Sequence, residues 1–109
     1  MKDDSVYLRH ILESIEKIQR YIQQSEFDDF AANSLLIDAV VRNLEIIGEA
    51  SGAISEDFKI SYKEIPWRQM KGMRNALIHQ YFGVEVKVVW NTCKQEIPAL
   101  KTIIEKILK

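Results

Sequence analysis

"LLIDAVVRNLEIIGEA", Leu35 to Ala50, decides the fold. Its four charged residues, Asp38, Arg42, Glu45 and Glu49, fall at i, i+4, i+7 and i+11. At about 100° per residue this confines them to a stripe about 60° wide on a helix. Leu, Ile, Val and Ala fill most of the remaining circumference, and no strand-like alternation is present. Such a helix must be covered from several directions by other helices, so the expectation is an all-α protein. The apolar surface exceeds what one small bundle needs, and a second copy of the chain is the natural cover. Gly48 and Gly52 point the same way. A glycine inside a helix costs about 1 kcal/mol relative to alanine and is kept where another backbone approaches closely. The charged stripe itself reads either as a solvent-facing edge with an Asp38–Arg42 ion pair or as the lining of a groove.

Working outward, the same periodicity extends across the chain. Tyr7, Leu8, Ile11, Leu12, Ile15, Ile18 and Ile22 mark a first helix from about residue 4 to 23, with Asp3, Asp4 and Ser5 offering its N-cap. The polar cluster "QQSEFDD" interrupts, and the central helix then runs from Asp28 or Asp29 to Ser51. "SEDFKISYKE" reads as a polar connection. Pro66 suits the first turn of a third helix that carries Trp67, Met70, Met73 and Leu77 toward the core. Gly83 punctuates, and a last helical stretch from Val84 to Leu108 turns Val86, Val89, Trp90, Cys93, Ile97, Leu100, Ile104 and Ile107 inward. Pro98 either kinks it or starts a fifth short helix. The fold expected is a four- to five-helix up-down bundle, dimerising through its central helices.

With 109 residues and 12.7 kDa, the chain is most simply one domain spanning 1–109. Its 47% hydrophobic and 28% charged residues are globular composition. No apolar run is long enough to cross a bilayer, and "MKDDSVYLRH" lacks the apolar core of a secretory signal, so a cytoplasmic location and no membrane partner are expected. Cys93 is the single cysteine and His10 and His79 the two histidines, which leaves no internal disulfide and no set of zinc ligands. Neither a metal nor another cofactor is expected.

Net charge is −1, so the molecule as a whole does not attract nucleic acid, but the charge is unevenly placed. From Ile65 to Val84 there is no acidic residue, while Arg68, Lys71, Arg74 and His79 all lie in that window. Within it, "MRNALIHQYFGV", Met73 to Val84, brings Arg74, His79 and Tyr81 together. One reading is structural, with Arg74 as a surface cation, His79 complementing the helix dipole and Tyr81 in the core. The other is catalytic, and it meets a constraint. Arg74 and His79 are five apart, about 140° around a regular helix. They can cooperate only if the helix frays near His79 or if two copies of the segment meet across a dimer.

"RNALIHQY" resembles the Arg-x4-His-x-Tyr signature of the HepT-like toxins, a minimal branch of the HEPN ribonuclease superfamily. "AVVRNLEIIGEA", "IPWRQMKGMRN" and the tryptophan of "VVWNTCKQEIPAL" resemble further landmarks of that family, so the likeness covers essentially the whole chain. Gln80 stands where relatives often carry an acid. The resemblance implies an all-α homodimer acting as a metal-independent endoribonuclease, with its site shared between protomers. It also implies a type VII toxin-antitoxin pair, in which a cognate MNT-type nucleotidyltransferase antitoxin silences the toxin by transferring AMP to Tyr81. RNA is then the substrate, His79 the proton-transfer group and Arg74 the stabiliser of phosphate charge, with Asn75, Arg42 and Glu45 in support. The other function consistent with the fold is a catalytically idle helical dimer that binds a nucleotidyltransferase and presents its substrate.

Overall fold

Asp3 begins the first helix by accepting the Ser5 backbone N–H at 3.0 Å, a bond that holds its carboxyl below the usual range. In the computed structural model, which describes residues 3–79 and 85–108, helix α1 runs Asp4–Ile22, one residue short of the sequence reading. Leu8, Ile11, Ile15 and Ile18 are fully buried on one face. Each contributes about 1.5–3 kcal/mol of burial free energy.

The central segment is two helices, not one. α2, Phe27–Ala31, opens with a capping box between Glu26 and Asp29, and α3, Ser34–Ala53, opens on Asn33, whose side chain accepts the Leu36 N–H at 3.0 Å. The break lets α2 drop Phe30 into the core, 5.1 Å from the Trp90 ring between centroids. The connection read as polar contains a further helix, α4, Glu56–Ser61. Ser55 caps it through the Phe58 N–H, and Asp4 in turn accepts both the Ser55 N–H (2.9 Å) and its hydroxyl (2.8 Å). This ties the start of α1 to the end of α3. Phe58, Tyr62 and Trp67 then cluster ahead of α5, Trp67–His79, with the Trp67 indole donating to the Tyr62 carbonyl at 3.1 Å. Pro66 stands just before α5 rather than inside it, its carbonyl accepting the Met70 N–H.

The last stretch, expected to run unbroken from Val84, is α6, Val86–Asn91, then a π-helical turn, Thr92–Glu96, then α7, Ile97–Leu108. Val84 lies outside the described residues. Pro98 explains the wide turn. It has no N–H to give to the carbonyl four residues back, and its ring would strike that carbonyl in a regular helix. Widening the preceding turn, with the Ile97 N–H reaching back to the Thr92 carbonyl, carries the chain to the proline, which stands in the first turn of the new helix α7.

The described residues therefore form seven helices and one π turn, an all-α fold with a Cα radius of gyration of 13.8 Å. α3 is the central element, packed by α1 on one side and α5 on another, and α7 returns against α1. Val40, Val41, Leu44, Ile47 and Ala50 of α3 are buried inside the chain, Leu36, Ile37, Ala39 and Ile46 are half-buried, and Leu35 is widely exposed, at 80%. Much of the apolar surface read as surplus is thus covered by the chain's own helices. No helix among the described residues is long and apolar enough to cross a membrane.

Cys93 is 2% exposed, and burial pushes its thiol up to about 12 from an ordinary 9.0. The fold holds this thiol neutral while the unfolded chain ionises it. Its stabilising contribution is therefore full below about pH 9 and is lost as pH rises toward 12. Native protein at pH 8 is expected to leave Cys93 unlabelled by iodoacetamide, whereas urea-unfolded chain labels readily. Fast labelling of the folded protein would contradict this placement.

Candidate active site

The site grows from the contact between α3 and α5. Met70 and Leu77 turn inward on α5, and Arg74 lies between them at the edge of that buried face, itself half-buried. Its stem crosses α3 at Gly48. A Cβ built on Gly48 would run into the Arg74 Cβ and stand 2.7 Å from Cγ and 3.4 Å from the Met70 carbonyl oxygen. At Gly52 the same construction meets nothing within 4 Å. Among the described residues, the close approach inferred from these glycines therefore occurs at Gly48 and not at Gly52, and it is intramolecular.

Beyond its stem, the guanidinium is held at one end. Arg74 Nη1 donates to Asn75 Oδ1 at 3.0 Å, while the buried Nε has no hydrogen-bond partner among the described residues. A buried donor without a partner is uncommon in folded proteins. Arg68 and Lys71 are exposed on the same helix and form no ion pair among the described residues. With no acid between residues 65 and 84, nothing on α5 offsets their charge.

α5 is helical through His79, so the backbone keeps the five-position separation from Arg74 in regular register. The side chain of His79, and Tyr81 altogether, lie outside the described residues.

On α3 the charged stripe is assembled as a side-chain network. Arg42 Nη1 reaches Glu49 Oε1 at 3.4 Å and Glu45 Oε1 at 3.9 Å, with Arg42 and Glu49 largely exposed and Glu45 half-buried. Exposed pairs of this kind are worth about 0–1 kcal/mol, so they orient more than they stabilise. No hydrogen bond or ion pair among the described residues joins Arg42 and Glu45 to Arg74 and Asn75. They are two separate sets on adjacent helices. Asn43, which periodicity passes over, is buried on α3; its Nδ2 donates to the Ala39 carbonyl at 2.9 Å and its Oδ1 has no partner among the described residues. A lone amide inside an apolar run was the available signal.

The other flank of α5 is apolar. Met73 and Ala76 border an open cleft of about 540 Å³ whose far wall is Val88, Ile97 and Leu100, with Leu44 and Ile47 at its base. Val88 is 49% exposed at its rim. Among the described residues no three His, Cys, Asp or Glu side chains converge as metal ligands.

Comparison with known proteins adds to this geometry. A family model described as "Ribonuclease HepT-like" matches residues 11–107. "Probable ribonuclease HepT" of Thermococcus cleftensis is 50% identical over 103 residues, covering 94% of each chain. "Putative RNase TTE0752" of Caldanaerobacter subterraneus subsp. tengcongensis is 39% identical, covering 100% of this chain and 97% of its own. "Gamma-glutamylcyclotransferase and putative RNase MJ0434" of Methanocaldococcus jannaschii is 45% identical over 108 residues, which is 99% of this chain and 49% of that longer protein. No solved structure matches.

Proposed function

This chain belongs to the HepT-like family of ribonucleases, and on that premise we propose that it is a metal-independent endoribonuclease whose site is shared between two copies of the chain. The observation that carries this reading is Arg74: buried at Nε without a partner among the described residues, steadied at Nη1 by Asn75, and set in a segment with no acid. Its planar fork suits two phosphate oxygens as negative charge builds on them. The reaction needs only groups the chain possesses. The RNA 2′-hydroxyl attacks the adjacent phosphorus while the His79 imidazole takes its proton. The bond to the 5′-oxygen then breaks and that oxygen receives the proton, giving a 2′,3′-cyclic phosphate and a 5′-hydroxyl.

A regular helix through His79 favours the two-copy arrangement, in which Arg74 of one chain faces His79 of the other. The open cleft and the exposed Leu35 and Val88 leave apolar surface for such an association. Arg42 and Glu45 act in support, the carboxylates holding the guanidinium so that its remaining donors meet substrate phosphate. The partner antitoxin is an MNT-type nucleotidyltransferase that transfers AMP to Tyr81.

The direct test is incubation of purified protein with RNA and with DNA in EDTA. RNA should be cut and DNA spared, because DNA has no 2′-hydroxyl; cleavage that disappears with EDTA would sink the proposal.

Arg68 and Lys71 lie one to two turns from Arg74 on α5 and are assigned to phosphates flanking the scissile one. Each phosphate contact on a single strand contributes about −0.7 to the slope of log affinity against log salt. Arg68→Gln and Lys71→Gln are each expected to flatten that slope by about this amount for a 2′-methoxy RNA oligomer, while cleavage of a dinucleotide is unchanged. An unaltered slope in both variants would remove them from the RNA path.

A further inference from the structure

We infer that Gly48 is a positioning residue for Arg74: the absence of a side chain at this one point of α3 sets where the guanidinium stands. The inference rests on the reading of Arg74 as the group that meets substrate phosphate. Glycine is a poor helix former, and α3 carries it twice, one turn apart. At Gly52 an added methyl would meet nothing within 4 Å among the described residues. At Gly48 the methyl would enter the Arg74 Cβ and crowd Cγ. These are the atoms nearest the α5 backbone, not the yielding end of a long side chain. Either α5 moves outward or Arg74 leaves its course.

The consequence reaches the guanidinium because Arg74 is constrained at both ends. Its stem lies on the α3 backbone at Gly48, its Nη1 is bonded to Asn75, and between them Nε is buried. A group held this way loses little freedom on meeting a phosphate, and a displacement of about 1 Å costs on the order of a hundredfold in rate. Gly48 is thus placed to act on the rate of the chemical step rather than on substrate binding. It touches no reacting atom.

Four variants test this: Gly48→Ala, Gly52→Ala, Arg74→Gly and the pair Gly48→Ala with Arg74→Gly. Gly52→Ala should cleave RNA like the parent and melt no lower. Gly48→Ala should lose roughly ten- to a hundredfold in kcat with KM changed less than about threefold, measured well below its melting temperature. The melting temperatures supply a readout independent of activity. In the Arg74 background the Gly48 methyl should lower Tm or prevent folding. In the Arg74→Gly background, where it has no Cβ to meet, the same methyl should leave Tm unchanged or raise it. Parental kcat in Gly48→Ala, or an equal Tm change in both backgrounds, overturns the inference. If the parent itself cuts no RNA, the ribonuclease reading fails, and the Tm comparison still decides whether Gly48 sets the course of Arg74.

Discussion

Replacing either His79 or Arg74 by alanine is expected to lower RNA cleavage at least about a hundredfold while the protein remains folded. The two losses have different origins. An imidazole that moves protons near neutral pH typically contributes 10² to 10⁴-fold, and without it the 2′-hydroxyl must ionise unaided. Arg74 is proposed to act on charge: as the phosphorane forms, its oxygens gain negative charge, and removing a comparable preorganised donor commonly costs about 10² to 10³-fold. Lysine at position 74 should recover little, because a point charge cannot grip two oxygens in one plane. Arg74 also packs its stem on α3, so Arg74→Ala loses contact as well as charge. Circular dichroism and Tm must accompany its kinetics. Cleavage within threefold of the parent in both variants would sink the mechanism.

The second large effect concerns control. Co-expression with the cognate nucleotidyltransferase is expected to add one or more AMP units to Tyr81 and to suppress cleavage without unfolding the protein. Tyr81 follows His79 by two residues, so an adduct there brings a phosphodiester and a bulky nucleoside beside the groups proposed to receive the RNA backbone. Incoming phosphate would meet like charge, and Arg74 could be drawn to the adduct instead. Intact mass should rise by whole nucleotide monophosphate increments that map to the peptide containing Tyr81. Tyr81→Phe should escape silencing. Modification at Tyr7, Tyr21 or Tyr62 instead, or full silencing of Tyr81→Phe, would show that the switch lies elsewhere.

How far the sequence discloses this architecture varies with the physics of each element. α1 was legible almost to the residue because one face is buried and the other wet, which is the pattern that periodicity detects. α4 was not, since nothing in it is fully buried; Ser55 as cap, the Asp4 clamp and the Phe58 ring hold it in place. The division between α2 and α3 turns on Asn33 acting as an N-cap in the middle of a continuous apolar pattern, a role its composition alone does not announce. Pro98 signalled a disturbance, and a new helix, α7, starts beside it; the π turn ahead of it had no signal in the pattern. For α3, apolar residues around the helix were correctly read as demanding cover, and the chain itself supplies much of that cover from α1 and α5. Gly48 was recognised as a close approach, but its neighbour is Arg74 of the same chain. The Arg74–Asn75 pair was legible because the residues adjoin. Asn43 was missed because a single polar residue does not alter the period of an apolar helix.

The account stands most directly on complementation between two inactive proteins. Arg74→Ala and His79→Ala chains, each inactive alone, are mixed, unfolded in urea and refolded together, with parental protein carried through the same steps. If Arg74 of one chain works with His79 of the other, each mixed dimer has one intact site and one doubly defective site. Random assortment then restores about a quarter of parental RNA cleavage in EDTA. Recovery near that level would support a site built by two copies. No recovery, with parental protein regaining full activity, would contradict it.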